Sequence, residues 1–298
     1  MNFVTVDLEW NGSYVKKVHG YFNEIIEIGA VKLDENLREI DRFQAIIRPA
    51  VSKKLTALVT DLTNITDEDL SDGGTFTGAM AAFRKWIGKK ETVILTWSTT
   101  DLLVFLENYR YFCKTDEIPF MTAYVDLQAY YQRQRELPAS QQVGLSRACE
   151  ELGINGEDVA HHRALGDAIL TGRILQKVYE ADTFIKTLCK ADDDFYRRIT
   201  FKNTFVTDPE SPLVKKEYLR FCCSECGKRI QFKKKWRPRH RAIAAEGICT
   251  GCEKKFTAQV QIKQKYDSVD VKRKLLPIKE VEDTENNQEG KKEHVQEI

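Results

Sequence analysis

The sequence predicts a mixed α/β layer followed by a small cysteine-held module. Two observations predict it. Three strand-like apolar runs with short connections open the chain, after which helical and strand-like segments alternate. Five of the eight cysteines then crowd between positions 222 and 252. Charge divides the chain in the same way: the balance is −7 over residues 1–183, +13 over residues 184–279 and −5 over residues 280–298. A basic region is an electrostatic footprint for a polyanion.

The elements follow from local pattern. Residues 3–8, 25–33 and 40–47 read as three strands, and their short connections predict an antiparallel meander. Within 51–89 the periodicity is helical in pieces; Phe76, Met80, Phe83 and Ile87 recur at helical spacing over 76–87. Residues 93–97 form a fourth strand and 101–113 a helix. Residues 124–127 are a short strand or a helix start, and 145–152 and 164–179 are helices. Residues 1–183 are thus expected to be one domain. Residues 184–217, with three successive aspartates and two prolines, read as a linker. The cysteine-rich module is expected at 218–266, and the polar, aromatic-free tail at 280–298 as disordered. No apolar run is long enough to cross a bilayer, and the N-terminus lacks a basic n-region and a cleavage site. The expected location is cytoplasmic, with no membrane partner.

Asp7 and Glu9 lie two apart in an apolar strand, so both carboxylates aim at one place. Like charges that close repel unless a cation lies between them. Asp101 follows the fourth strand; as a first-turn residue it also suits the helix dipole. His162 precedes the helix that carries Asp167, five residues on. Together Asp7, Glu9, Asp101 and Asp167 are all-oxygen ligands, suited to Mg²⁺ or Mn²⁺. Two such ions can stabilise the attacking and leaving oxygens of a phosphoryl displacement. His162 would be the general base for the attacking water.

The order Asp-x-Glu, Asp, His-x4-Asp resembles the DEDDh exonucleases of the RNase H-like superfamily. The likeness covers about residues 1–182. It includes residues 6–9, 24–31 and 162–168, and the run Thr96-Trp97-Ser98-x-x-Asp101 looks like the Thr-Trp-Gly-x-x-Asp of the Eri-type and KapD-like RNA-trimming branch. Ser98 departs from that branch's usual glycine. The resemblance implies an RNase H-like mixed sheet with flanking helices and release of nucleoside 5′-monophosphates from a 3′ end. It also implies that Asp7 bridges both metals and that Glu9, Asp101 and Asp167 complete the site. Leu8 and Trp10 adjoin the carboxylates and are expected substrate contacts. For Trp10 this requires the strand to end at Glu9 and the chain to turn at Asn11-Gly12; otherwise it is packing.

Cys223-x2-Cys226 and Cys249-x2-Cys252 form two knuckles, with Gly227 and Gly251 in the turns. Four thiolates suit one structural Zn²⁺, making the module a zinc ribbon. Cys222 is left over, with a shifted register as an alternative. Between the knuckles Lys233, Lys234, Lys235, Arg237 and Arg239 are expected to contact phosphates, with Trp236 as a stacking platform or as core.

The expected function is a two-metal 3′→5′ exonuclease acting on single-stranded RNA with a free 3′ end, held by a basic zinc ribbon. The alternatives are a DNA 3′→5′ exonuclease and a nucleic-acid-binding adaptor with an inactive nuclease fold. A protein partner for the zinc ribbon is a further expectation.

Overall fold

The computed structural model describes residues 1–52, 54–138, 140–159 and 162–278. The expected tail at 280–298 lies outside the described residues. Contacts divide the chain into two units, residues 1–200 and residues from Phe201 onward.

The first unit is a six-stranded mixed sheet in the order β3-β2-β1-β4-β5-β6. Strands β1 (Asn2–Val15), β2 (Gly20–Leu33) and β3 (Glu39–Ile46) form the expected antiparallel meander. Helices α1 (Ala57–Thr63), α2 (Asp67–Ser71) and α3 (Phe76–Ile87) lead to β4 (Thr92–Thr96), which runs parallel to β1. Helix α4 (Thr100–Asn108) ends in a π-helical turn at Tyr109–Cys113. Residues 124–127 satisfy both expectations: β5 (Ala123–Asp126) runs straight into α5 (Leu127–Gln134). Helices α6 (Leu145–Leu152) and α7 (Ala164–Val178) complete the predicted set.

Alternation along β1 divides the core. Val4, Val6 and Leu8 pack with α3 and α4 on one face of the sheet, in a cluster with Phe76, Phe83 and Phe105. Phe3 packs on the other face with α5 and α7 residues such as Tyr130, Leu170 and Ile174. Thr5, on that second face, donates to Ala168 O at 2.8 Å. The odd residues of β1 therefore look towards α7, as period-two geometry requires.

Two expectations about extent are corrected. β1 and β2 run six residues beyond the carboxylates as a two-stranded ribbon, closed by a short 3₁₀ turn at Lys16–Val18. Residues 184–200 are no linker: α8 (Ala181–Ile185), β6 (Cys189–Lys190) and α9 (Asp193–Thr200) belong to the first unit. Phe184, Phe195 and Tyr196 are buried there, and the Ile118 amide donates to the Tyr196 hydroxyl at 3.0 Å. Burial of three aromatic side chains outweighs the loop-like aspartates.

The second unit is an antiparallel sheet in the order β12-β11-β10-β8. β7 (Thr204–Val206) pairs with β11 (Lys255–Gln264); β8 (Ile230–Phe232) and β9 (Arg237–Arg239) both pair with β10 (Ala242–Cys249). β12 (Val269–Pro277) carries the sheet past the expected limit at 266. Its core holds Phe221, Ile243, Phe256, Val260 and Ile262. Among the described residues no helix is long and apolar enough to cross a membrane.

The contact that positions α7 is backbone against backbone. A Cβ on Gly29 of β2 would lie 2.1 Å from Ala164 C and Leu165 N. Only glycine admits that approach, and rigid backbone cannot give way. Gly29→Ala is expected to lower the thermal midpoint by roughly 2–12 °C. Gly144→Ala, where nothing lies within 4 Å, should leave it nearly unchanged. Thermal unfolding of the two variants side by side checks this.

Candidate active site

Strand geometry delivers the first pair. Asp7 and Glu9 pair with Gly29 and Glu27 of β2 and point to the α7 face. On that face α7 presents Asp167 in its first turn, and ligand oxygens of Asp7, Glu9 and Asp167 lie within 4.8 Å of one another. Asp101 arrives from the first turn of α4, beyond the carboxyl end of β4. It is buried, and its Oδ1 accepts from the Leu8 amide at 3.2 Å, which ties it to β1 between Asp7 and Glu9.

The turn into α4 is unusual. Ser98 sits in the left-handed region at φ 85°, where a side chain costs about 1–2 kcal/mol. Its carbonyl accepts from the Tyr124 hydroxyl at 3.1 Å and from the Thr96 hydroxyl; its own Oγ accepts from the Thr100 amide at 3.2 Å. Serine thus fills a position suited to glycine because neighbours hold it there.

His162 is exposed, with φ 55°, on the approach to α7. Its neighbour His161 lies outside the described residues. What fixes this approach is Glu27, a fully buried carboxylate that the sequence reading passed over. Arg163 grips it with two bonds, Nη2 to Oε1 at 2.7 Å and Nε to Oε2 at 3.0 Å. Gln44 Nε2 and the Ala164 amide, the first of α7, complete its shell at 2.7 and 3.2 Å. Its only signal in the sequence is one charge inside the apolar run Ile25-Ile26-Glu27-Ile28.

The expected substrate contacts are redistributed. Leu8 is 2% exposed and its side chain is core; its amide serves Asp101. Trp10 is half-buried and packs on the same cluster, because β1 continues to Val15 instead of ending at Glu9. Trp236 is partly buried and packs on Phe232 and Phe221, at ring separations of 5.0 and 6.2 Å, against the second unit's core. Leu8 is the correction: a fully buried side chain cannot meet a substrate, whereas Trp10 and Trp236 each set one side against a core and keep part of the ring exposed. Lys233, Lys234, Lys235, Arg237 and Arg239 are exposed, although Lys234 pairs with Glu246 at 2.6 Å.

The four knuckle cysteines converge as expected. Cys223 and Cys252 sulfurs lie 3.6 Å apart, Cys226 and Cys249 sulfurs 3.3 Å, and Cys222 is outside the group. The Cys252 amide, aided by the Gly251 amide, draws the Cys249 thiol down to about 6. The Lys254 amide pulls Cys252 the same way, but burial and the neighbouring sulfurs push it up to about 12. Four sulfurs this close cannot all be thiolates without a cation, so the set fits a metal. Gly227 supplies the left-handed turn of the first knuckle at φ 69°; in the second that role falls to Glu253 at φ 57°. At Gly251 a Cβ would stand 2.6 Å from Lys228 Cγ and 3.3 Å from the Cys226 sulfur, so a side chain there would displace Lys228.

The acidic site shows the same signature. Burial first, then the charges of Asp101, Asp167, Glu9 and Glu27, hold the Asp7 carboxyl well above the usual range. Burial and Asp167 lead the effects that raise Glu9 to about 8, against the pull of Arg163. Burial raises Asp101 to about 7, opposed by its own and the Leu8 amide. A carboxyl raised in the folded state binds its proton more tightly there than in the unfolded chain. Its contribution is complete below the ordinary value near 4.5 and is lost as pH rises through about 8. In buffer without Mg²⁺ or Mn²⁺, the thermal midpoint is therefore expected to fall between pH 6 and pH 8. Asp7→Asn, which removes one of the crowded charges, should flatten that fall.

Comparison with known proteins agrees with this geometry. The sequence profile of the family described as "Exonuclease" matches residues 4–175. Human ERI1 exoribonuclease 2 is 29% identical over 204 residues, 59% of this chain and 28% of that protein. Human 3′-5′ exoribonuclease 1 is 26% identical over 167 residues, 54% of this chain and 47% of that protein. A PolC-type DNA polymerase III of Mycoplasma pneumoniae is 28% identical over 178 residues, 60% of this chain and 11% of that protein. The chain thus spans from about a tenth to about half the length of these relatives. The nuclease domain of 3′hExo, described as a DEDDh family member bound to rAMP, has the same fold. Its TM-score is 0.52 at 24% identity, over 59% of this chain and 90% of that one. With its profile match spanning more than half of the sequence, the chain belongs to the exonuclease family and has the fold of its DEDDh members.

Proposed function

We propose that this protein is a two-metal 3′→5′ exoribonuclease that releases nucleoside 5′-monophosphates. The observation that carries the reading is the meeting of Asp7, Glu9 and Asp167 oxygens within 4.8 Å, with Asp101 tied beside them. Carboxyls raised first by burial and then by one another's charge are a donor set that fits hard divalent cations. Asp7, Glu9, Asp101 and Asp167 would hold Mg²⁺ or Mn²⁺. Such ions, when bound, lower the pKa of water and neutralise charge on a phosphodiester. The chain's own part is positional. β1 and α7 fix the carboxylates on rigid elements, and the Glu27–Arg163 clamp fixes the segment that bears His162. An imidazole nitrogen of His162 takes the proton of the attacking water, a role worth about 10²–10⁴-fold. RNA is favoured because two relatives that match more than half of this chain are named exoribonucleases.

The cysteine cluster would hold one Zn²⁺ as the structural centre of a ribbon. Exposed Lys233, Lys235, Arg237 and Arg239 then offer phosphate contacts along an edge of the β10 sheet. The packing of one side of Trp236 on Phe221 and Phe232 leaves charge as the main basis of that contact.

The test is degradation of matched end-labelled RNA and DNA oligonucleotides with Mg²⁺ or Mn²⁺, with the products identified. RNA should be shortened from its 3′ end to 5′-monophosphates, and Asp7→Ala should lose at least about a thousandfold in rate. Preference for DNA would move the reading to a DNA exonuclease. Full activity of Asp7→Ala would remove the mechanism. A second outcome concerns salt. Replacing Lys233, Lys235, Arg237 and Arg239 by Gln should make the dependence of log K on log salt shallower by up to about 3. Fluorescence anisotropy on a labelled single strand measures it.

A further inference from the structure

The ribbon that extends β1 and β2 past the carboxylates has no part in the chemistry above. It carries exposed aromatic side chains. Tyr14 and Tyr21, directly opposed in register, are 63% and 77% exposed, with ring centroids 6.0 Å apart in an edge arrangement. Val18 at the tip and Leu103 on α4 are exposed as well. Between ribbon and helix lies a cleft of about 480 Å³, lined by Val18, Tyr21, Leu103, Leu106, Arg110 and Lys114 among others.

The ribbon is held stiffly at its base. Asn108, at the end of α4, accepts from the Ile25 amide at 3.2 Å and donates to Asn23 O at 2.8 Å. On the other side Glu24 accepts from the amides of Ala50, Val51 and Ser52, and Asn11 accepts from the Thr56 amide. A ribbon pinned on both sides presents a preformed surface.

Charge and continuity identify the occupant. Residues 10–23 contain two lysines, a histidine and no carboxylate, in a part of the chain whose balance is −7. The single carboxylate lining the cleft among the described residues, Glu107, accepts from the Asn23 amide at 3.4 Å. A partner that brings negative charge and flat apolar faces together is a single-stranded nucleic acid. The α4 wall of the cleft begins at Asp101, and the ribbon that forms the other wall, through Val18, Tyr21 and Phe22 of its turn and β2, is completed by the strand that carries Asp7 and Glu9. Tyr14 lies five residues beyond Glu9, about 17 Å along the strand.

We infer that the ribbon is an upstream subsite, on which bases 5′ of the terminal nucleotide stack against Tyr14 and Tyr21 while Lys16 and Lys114 face the phosphates. The inference rests on the exonuclease reading and adds a substrate-length dependence to it. Strands too short to reach the ribbon bind through the acidic site alone, and longer strands gain the stacking.

The full chain and its Tyr14→Ala/Tyr21→Ala variant are compared on an unstructured RNA series from dinucleotide to 12-mer. For the longer strands the variant should raise KM by roughly 5- to 150-fold. kcat, and the KM of the dinucleotide, should stay unchanged, and Tyr14→Trp/Tyr21→Trp should restore the long-strand KM. A KM unaltered at every length, or altered equally at every length, overturns the subsite. A wild-type chain that releases no mononucleotide at any length removes the exonuclease reading and the subsite with it. Activity with a length-independent variant removes the subsite alone.

Discussion

The organising constraint of the first unit is electrostatic repulsion inside a buried site. Asp7, Glu9, Asp101 and Asp167 converge from three separate elements, and each raises the proton affinity of its neighbours. Burial in the protein cannot by itself stabilise such a group of charges. The fold compensates with rigidity. Gly29 lets α7 dock backbone to backbone on β2, and the Leu8 amide holds Asp101. The carboxylates are therefore pre-placed against their own repulsion, which is the condition a divalent cation exploits on binding.

Legibility in the sequence followed the range of the interactions. Asp7 and Glu9 were readable because a strand's period of two is local, and the four knuckle cysteines because their spacing is local. The meander of β1, β2 and β3 was readable for the same reason. Glu27 was not, because its partner Arg163 stands 136 residues away. The ribbon was not, because residues 10–23 are polar and glycine-containing, and only pairing across the hairpin makes them strands. Residues 184–200 were misread because three aspartates and nearby prolines masked three aromatic side chains that bury. β12 was missed because its charged residues belong to an edge strand with one wet face. Side-chain roles were less legible than element positions: Leu8 is core, and Trp10 and Trp236 each lean on a core that local pattern does not reveal.

The two units divide physical labour. The first carries a negative balance and a site that repels a polyanion until cations neutralise it; the second carries the positive surplus. Within the first unit the acid-free ribbon is the local exception. Sequence position thus separates negative from positive charge twice, once between the units and once within the first unit.

Glu27 adds a consequence for how the protein comes into being. A fully buried carboxylate is tolerable only while Arg163 and the Ala164 amide satisfy it. With α7 undocked Glu27 faces water; docking α7 buries it and in the same movement delivers Arg163 and the Ala164 amide to it. The clamp therefore forms only as α7 docks on the meander. During synthesis, a nascent chain lacking residues 163–178 has Asp7, Glu9 and Asp101 but neither the clamp nor Asp167. The acidic group is therefore completed by the docking of a single helix.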